Sequence, residues 1–362
     1  MKILVVSHSS VIEYHQQKLV ILAEEFGFDI TLAAPPYWYE GGVKKKLYTG
    51  SKSIKYARCG AVVFKKHMNY FYLNTNAVLK KIRPDVVHVE EEPFNMACFQ
   101  FVRGAKKQGI KTLFFTWENI MRDYGFLRSR FEKYVLKNAD AAAAGNAEGA
   151  DILKQKGFNG PVKVIPQYGL NPEDFSAVER NGSGKNIVYA GRLIPEKGVE
   201  ILLKAVSGLE NTAVNLIGTG EPGYVSSLKE LARELNISDR VFFHGYTDRD
   251  KMKGIMSEMD IFVLPSLTAG NWKEQFGRVI IEAFASKIPV IGSSSGEIPH
   301  VIGDAGLVFE EGNAADLGRC IKKLSDNSGL RRELAIKGYN RMLDRFTNRK
   351  IAGMLSEFYR SI

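Results

Sequence analysis

Short apolar, β-branched runs alternate with longer amphipathic stretches along the whole chain. The short runs predict strands at 2–6, 29–33, 61–64, 85–89, 111–116, 140–144 and 162–165 in the first half. In the second half they predict strands at 186–190, 213–217, 240–243, 260–264, 288–292 and 306–308. Continuous runs such as Ile3-Leu4-Val5-Val6, with no polar residue interleaved, suit strands covered on both faces. Amphipathic stretches at 14–26, 74–81, 97–108, 128–137, 197–206, 224–235 and 250–257 predict helices between them. Strand and helix in regular alternation predict a parallel α/β architecture.

The pattern is interrupted at Ser176–Gly184, a polar, glycine-containing stretch that reads as a linker. It predicts two doubly wound, Rossmann-like domains, 1–175 and 176–346, with a helix at about 347–362 packing back on the first. Such sheets bind ligands at the C-terminal ends of their strands, so the two domains are expected to face each other across a ligand-binding cleft. A chain of 362 residues is long enough to give each domain its own core.

Composition narrows the class. No apolar run approaches the roughly 18–20 residues of a membrane-spanning helix, and Lys2–Val6 is too short for a signal-peptide core. Three cysteines, Cys59, Cys98 and Cys320, are odd in number and widely spaced. This argues against a disulfide or zinc framework and for a reducing compartment, so a cytoplasmic location is expected. The charge is uneven: residues 1–150 carry 22 Lys and Arg against 14 Asp and Glu, most of the net +10 of the chain. A basic first half calls for an anionic partner. Basic and aromatic residues interleave at 64–72, which includes Lys65 and Lys66, and at 128–137, which includes Arg128 and Arg130. That composition makes an anionic membrane surface, met peripherally at the inner face of the cell membrane, a candidate partner. Nucleic acid is not expected, because no recognised reading module is present.

The stretch Leu264–Val301 carries the most chemistry. A strand leads into a loop, a helix from about Gly277 to Ser286, and a further strand. Glu274 lies in the loop and Glu282 lies more than one turn inside the helix. Phe276-Gly277-Arg278 between them sets backbone N–H groups at a helix N-terminus, which receives an anion well. Carboxylates on either side of a phosphate site suit hydroxyls on either side of a pyrophosphate, the order found in a nucleotide-sugar. Glu282 sits among Val279-Ile280-Ile281 and Ala283-Phe284-Ala285, where a carboxylate needs a partner.

This segment resembles the retaining glycosyltransferases of family 4, which have the two-domain GT-B fold. The resemblance rests on Glu274-Gln-Phe-Gly-Arg-Val-Ile-Ile-Glu282, followed by Pro289-Val-Ile-Gly292 and Gly296-Glu297. Gln275 replaces the glycine common after the first Glu. A second stretch agrees, Gly191-Arg-Leu-Ile-Pro-Glu-Lys-Gly198, where Arg192 and Lys197 flank a turn at a strand end. Two cations there suit a departing diphosphate. Gly218-Thr-Gly220-Glu-Pro-Gly223 fits a dinucleotide fingerprint formally. Pro222 and the lack of an acidic residue at the next strand's end fit a nucleotide-sugar loop better.

The resemblance implies a retaining, metal-independent transfer of a hexose-type sugar from a nucleotide-diphosphate sugar to a hydroxyl of a glycan or lipid-linked acceptor. Arg192, Lys197 and Glu274 are the implied catalytic residues, with Glu118 added as a candidate proton acceptor. Donor contacts are expected at Gly191, Gly218, Gly220 and Tyr246, and at Phe276, Gly277, Arg278 and Glu282. Ser9, Glu91 and Asn119 are the acceptor-side candidates. No metal or further cofactor is expected, and Asp248-Arg-Asp250 reads as a helix cap rather than a metal-binding pair. A GT-B-type sugar-nucleotide epimerase and a basic nucleic-acid-binding protein are the alternatives.

Overall fold

The computed structural model describes residues 1–40, 43–63, 70–175, 182–247 and 249–362. Lys65, Lys66, Asp248 and most of the linker at 176–184 lie outside the described residues. The chain forms two units, Met1–Gly169 with Asn348–Ile362, and Leu170–Thr347. The division therefore falls at 169/170, where the polar stretch had placed it at 175/176.

The first unit is built on a seven-stranded, all-parallel sheet. Its order is Val162–Val164, Ala141–Ala144, Lys111–Thr116, Val86–Val89, Lys2–Val6, Asp29–Ala34 and Lys55–Arg58. The most apolar run takes the middle: Leu4 pairs with Thr31 on one side and Val87 on the other, and Ile3 to Val6 are fully buried. The strand order reverses between Lys2–Val6 and Val86–Val89, which is where doubly wound sheets open a crevice. The loops at that crevice begin at Ser7 and at Glu90.

Two first-half features differ from the sequence pattern. Ala61–Val63 does not join the main sheet but pairs antiparallel with Tyr70–Tyr72. The sheet edge is instead Lys55-Tyr-Ala-Arg58, whose charged ends suit an exposed edge strand.

The helix Asn348–Ser361 packs on Glu13–Glu24 within this unit and buries Ile351, Leu355, Phe358 and Tyr359. The Tyr359 hydroxyl is hydrogen-bonded to His88 Nδ1 at 2.7 Å beneath the sheet.

The second unit holds a six-stranded parallel sheet. Its order is Val241–Gly245, Ala213–Ile217, Asn186–Ala190, Ile261–Leu264, Val290–Ser293 and Gly306–Phe309. Here the order reverses between Asn186–Ala190 and Ile261–Leu264. The two stretches singled out in the sequence leave those two strands.

Candidate active site

In the second unit, the loop after Ala190 continues beside the loop after Ile217. Gly191 N–H donates to Ile217 O at 2.9 Å and Leu193 N–H to Thr219 O at 2.8 Å. The glycines of the Gly218-Thr-Gly220 loop serve this close approach. A Cβ at Gly218 would lie 1.8 Å from Gly191 O, and one at Gly220 2.0 Å from Leu193 O. The loop after Ala190 carries Arg192, which is exposed, and the Arg192 carbonyl accepts from the Tyr189 hydroxyl at 2.7 Å. Its guanidinium forms no ion pair among the described residues.

Five residues on, the short turn Pro195–Lys197 delivers Lys197 to the neighbouring loop. Lys197 Nζ donates to Glu274 Oε2 at 2.5 Å and lies 4.8 Å from the Trp272 ring centroid. Ser266 Oγ donates to the same carboxylate oxygen at 2.9 Å. Lys197 and Glu274 are both largely buried. From behind, Glu297 N–H donates to Glu274 O at 3.1 Å, and a Cβ at Gly296 would come within 2.1 Å of that carbonyl. The Ser293 hydroxyl donates to Ser266 O at 2.5 Å. Glu274 is thus held by loops from three adjacent strands, and its rotamer is fixed on two sides.

Gly277, with φ of 74°, caps the helix Arg278–Ala285. The partner that Glu282 needs is Arg278, one turn earlier, with Nε 3.2 Å from Oε1. Phe276 is buried against Phe346, ring centroids 5.6 Å apart. Tyr246 is 81% exposed at the end of Val241–Gly245. The structure therefore brings Lys197 and Glu274 into direct contact, pairs Arg278 with Glu282, and nests Gly191, Gly218 and Gly220. Ser266 and Trp272, the other neighbours of the ion pair, have no motif of their own in the sequence.

In the first unit, three consecutive glutamates diverge into three environments. Glu90 pairs with Lys18, both about 1% exposed. Glu91 meets His8, Tyr70 and Tyr72. Glu92 accepts from Thr116 Oγ1 at 2.6 Å and Trp117 N–H at 2.8 Å. Glu118 accepts from the Tyr124 hydroxyl at 2.7 Å and from Lys156 at 2.6 Å, and Lys156 also reaches Glu132 at 2.6 Å. Both oxygens of Glu118 are therefore engaged inside the unit. Asn119 is buried, and the Ser9 hydroxyl lies against the Tyr168 hydroxyl.

Two buried groups here make opposite contributions to acid stability. Burial pushes His88 down to about 4, so its contribution is complete above about 6.5 and is lost as pH falls towards 4. Burial pushes Glu92 up to about 7, against its hydrogen bonds from Thr116 and Trp117. Its contribution is complete below about 4.5 and is lost as pH rises through 7. The two slopes oppose each other between about pH 4.5 and 6.5, so they leave that window nearly flat. Glu92→Gln removes one of them. Urea titrations of that variant should show the first unit losing about 2 kcal/mol from pH 6.5 to 4.5. A flat profile in the variant would refute this pairing of slopes.

Residues 171–341 match the family Glycosyl transferases group 1. Among relatives, the lipopolysaccharide core biosynthesis glycosyltransferase LpsE of Rhizobium meliloti is 26% identical over 222 residues, 59% of this chain and 62% of that protein. The GDP-mannose-dependent alpha-(1-6)-phosphatidylinositol monomannoside mannosyltransferase of Mycobacterium tuberculosis is 30% identical over 155 residues, 41% of this chain and 38% of that protein. The chain thus spans less than two thirds of the length of either relative. Among solved structures, Anabaena HepE in complex with UDP is similar over all of both chains, with TM-score 0.75 and 16% identity. Sucrose-phosphate synthase from Thermosynechococcus elongatus aligns over 100% of this chain and 98% of its own, with TM-score 0.70 and 18% identity. Two doubly wound α/β units are the GT-B fold of these proteins, and the match to Glycosyl transferases group 1 covers almost all of the second unit.

Proposed function

We propose that the chain transfers a hexose-type sugar from a nucleotide-diphosphate sugar to a hydroxyl of a glycan or lipid-linked acceptor, with retention at the anomeric carbon and without a metal. The observation that carries this is the buried Lys197–Glu274 pair at the strand-order reversal of the second unit, with the Arg192 guanidinium on the same loop. In this reading Glu274 binds sugar hydroxyls and Glu282, steadied by Arg278, binds ribose hydroxyls. Arg192, Lys197 and the helix N-terminus at Gly277 stabilise the diphosphate as the anomeric C–O bond breaks and its electron pair leaves with the phosphate. The departing phosphate oxygen then takes the proton of the attacking hydroxyl. Preorganised charge of this kind is worth roughly 100- to 1,000-fold per group. The GDP-mannose-dependent relative supports a nucleotide-sugar donor, and the lipopolysaccharide-core and phosphatidylinositol-mannoside relatives support a glycolipid acceptor.

A thermal-shift panel of UDP-, GDP- and ADP-sugars tests donor binding, since a ligand at 100 times its Kd stabilises by about 2.7 kcal/mol. Free nucleoside diphosphate should then appear only when an acceptor is added, and should do so in EDTA. Loss of activity on chelation, restored by manganese, would overturn the metal-independent part of the proposal.

The acceptor side is proposed to meet an anionic membrane surface from the cytoplasmic face. At the start of the helix Phe126–Asn138, Phe126 is 85% and Leu127 61% exposed, beside Met121 at 50%. Arg128 and Arg130 follow at once. Among the described residues, no helix is long and apolar enough to cross a membrane. Phe126→Ser with Leu127→Ser should weaken binding to phosphatidylglycerol vesicles by roughly tenfold or more. High salt should weaken the wild type in turn, because exposed charges are screened over about 8–10 Å. Equal vesicle binding by wild type and variant would remove the surface from the proposal.

A further inference from the structure

At the strand-order reversal of the first unit, the Ser7 and Glu90 loops meet in a cluster around Glu91. The Glu91 side chain is fully buried, and both its oxygens are occupied. Oε1 accepts from the His8 backbone N–H at 3.0 Å and from the Tyr72 hydroxyl at 3.1 Å. Oε2 accepts from the Tyr70 hydroxyl and faces His8 Nδ1 at 2.6 Å. Four donors on two oxygens saturate the carboxylate, so Glu91 has nothing left for a ligand. Burial, and then Glu91 itself, push both tyrosines well above the usual phenol range, which keeps them neutral donors.

The consequence falls on His8. The Tyr70 hydroxyl, 2.8 Å from His8 Nδ1, gives its proton to Glu91. The nitrogen facing the carboxylate is therefore the one placed to donate, which leaves the lone pair on Nε2. The ring is held between Trp38, tilted at 4.7 Å, and Tyr70, edge-on at 5.3 Å between centroids. Its side chain remains 30% exposed, and Nε2 has no hydrogen-bond partner among the described residues. The chain thus presents a fixed lone pair at the crevice of the first sheet. A phosphodiester, which can only accept, has nothing to take from that atom. A neutral sugar hydroxyl has a proton to give.

We infer that His8 is an acceptor-binding residue whose Nε2 accepts a hydrogen bond from a sugar hydroxyl, with Glu91 as the positioning residue behind it. This rests on the glycosyl-transfer reading and names the group that holds the acceptor in place. It also moves the acceptor-side contact from Glu91 to the residue that Glu91 orients.

Glu91→Gln separates positioning from mere structure. The amide oxygen can still accept on the Oε1 side. The amide N–H₂ that replaces Oε2 must donate to Nδ1, which drives the imidazole proton to Nε2. The experiment uses the full chain with ¹⁵N-labelled histidine at pH 7.5, the His8 signal being assigned by its loss in His8→Ala. The wild type should show a protonated Nδ1 and a bare Nε2, and the Nε2 signal should move on titration with n-octyl glucoside below its micelle point. Glu91→Gln should show the reversed tautomer. With n-octyl glucoside as acceptor and the donor found by thermal shift, His8→Ala and Glu91→Gln should each raise the acceptor KM by roughly tenfold.

Protons on both nitrogens in the wild type would overturn the inference, since an imidazolium offers a donor there and selects an anion. So would an unchanged tautomer in Glu91→Gln, an Nε2 signal indifferent to the glucoside, or a wild-type acceptor KM in His8→Ala. Failure of the wild type to bind or consume any nucleotide-sugar would instead count against glycosyl transfer, and the tautomer and titration arms would still decide whether His8 takes a hydroxyl.

Discussion

Glu274→Gln should lower turnover by roughly 100- to 1,000-fold while leaving the chain folded. The amide matches the carboxylate in shape and can still accept from the Ser266 hydroxyl, so the loop geometry survives. What disappears is the negative charge that holds Lys197 at 2.5 Å. A largely buried ammonium without its partner is costly, and breaking such a pair typically destabilises by about 3–5 kcal/mol. The second unit should therefore lose stability, towards the lower end because both groups keep some contact with solvent.

Stability and catalysis come apart in the double variant. Lys197→Met alone removes the cation and strands the carboxylate. Lys197→Met with Glu274→Gln leaves no charge unpaired and should recover most of the lost stability. It should not recover activity, because neither the diphosphate cation nor the sugar-binding carboxylate is present. Urea unfolding and acceptor-dependent release of nucleoside diphosphate measure the two quantities on the same preparations. Wild-type turnover in folded Glu274→Gln would sink the assignment, and so would a double variant that regained turnover along with stability.

Much of the second unit could be read from its residues. Strands such as Ile261–Leu264 are covered on both faces and leave continuous apolar runs, so their positions are recovered within two residues. Lys197 and Glu274 stood out because they lie in the two stretches that resemble family 4, at strand ends where side chains reach a ligand. Their contact was not legible, since 77 residues separate them and strand order alone brings the loops together. Ser266 was invisible for a simpler reason: a serine after a strand resembles any other loop serine. For Glu282 the reading required a partner, and the helical spacing to Arg278 supplies one.

The first unit resisted more. Lys55-Tyr-Ala-Arg58 forms a strand with no apolar alternation to announce it, because one side of an edge strand needs no cover. Ala61–Val63 has the composition of a sheet strand, yet it pairs with Tyr70–Tyr72 and builds the wall that carries the Glu91 tyrosines. The helix Glu13–Glu24 buries His15, Gln16 and Lys18 beside Leu19 and Leu22. Polar residues on its inner face blur the helical stripe, and a lysine in a helix reads as a solvent-facing one.

Lys18 is buried against Glu90 on that inner face, and Lys18→Met should destabilise the first unit by about 3–5 kcal/mol. For a domain of this size that corresponds to a fall in Tm of roughly 10 °C. Lys18 Nζ pairs with Glu90 and also donates to Gln167 O at 2.6 Å, tying the helix to both a central strand end and a distant loop. Burial alone would push Glu90 up, but Lys18, His88 and hydrogen bonds from Lys18 and Ser7 outweigh it and hold the carboxyl below its usual range. The stability from Glu90 is thus present above about pH 4.5 and is lost as pH falls through the depressed folded value. Without Lys18 the largest remaining influence is burial, so the carboxyl should rise above its ordinary value, and the variant's deficit should be largest near neutral pH and shrink as pH falls and the buried carboxyl takes up a proton. Lys18→Met should accordingly recover stability relative to the wild type as urea titrations go from pH 7 down to pH 3. Lys18→Met with Glu90→Leu removes both charges and should return close to wild-type stability. If the single variant matched the wild type in both stability and acid profile, the pair would contribute nothing to holding this helix against the sheet.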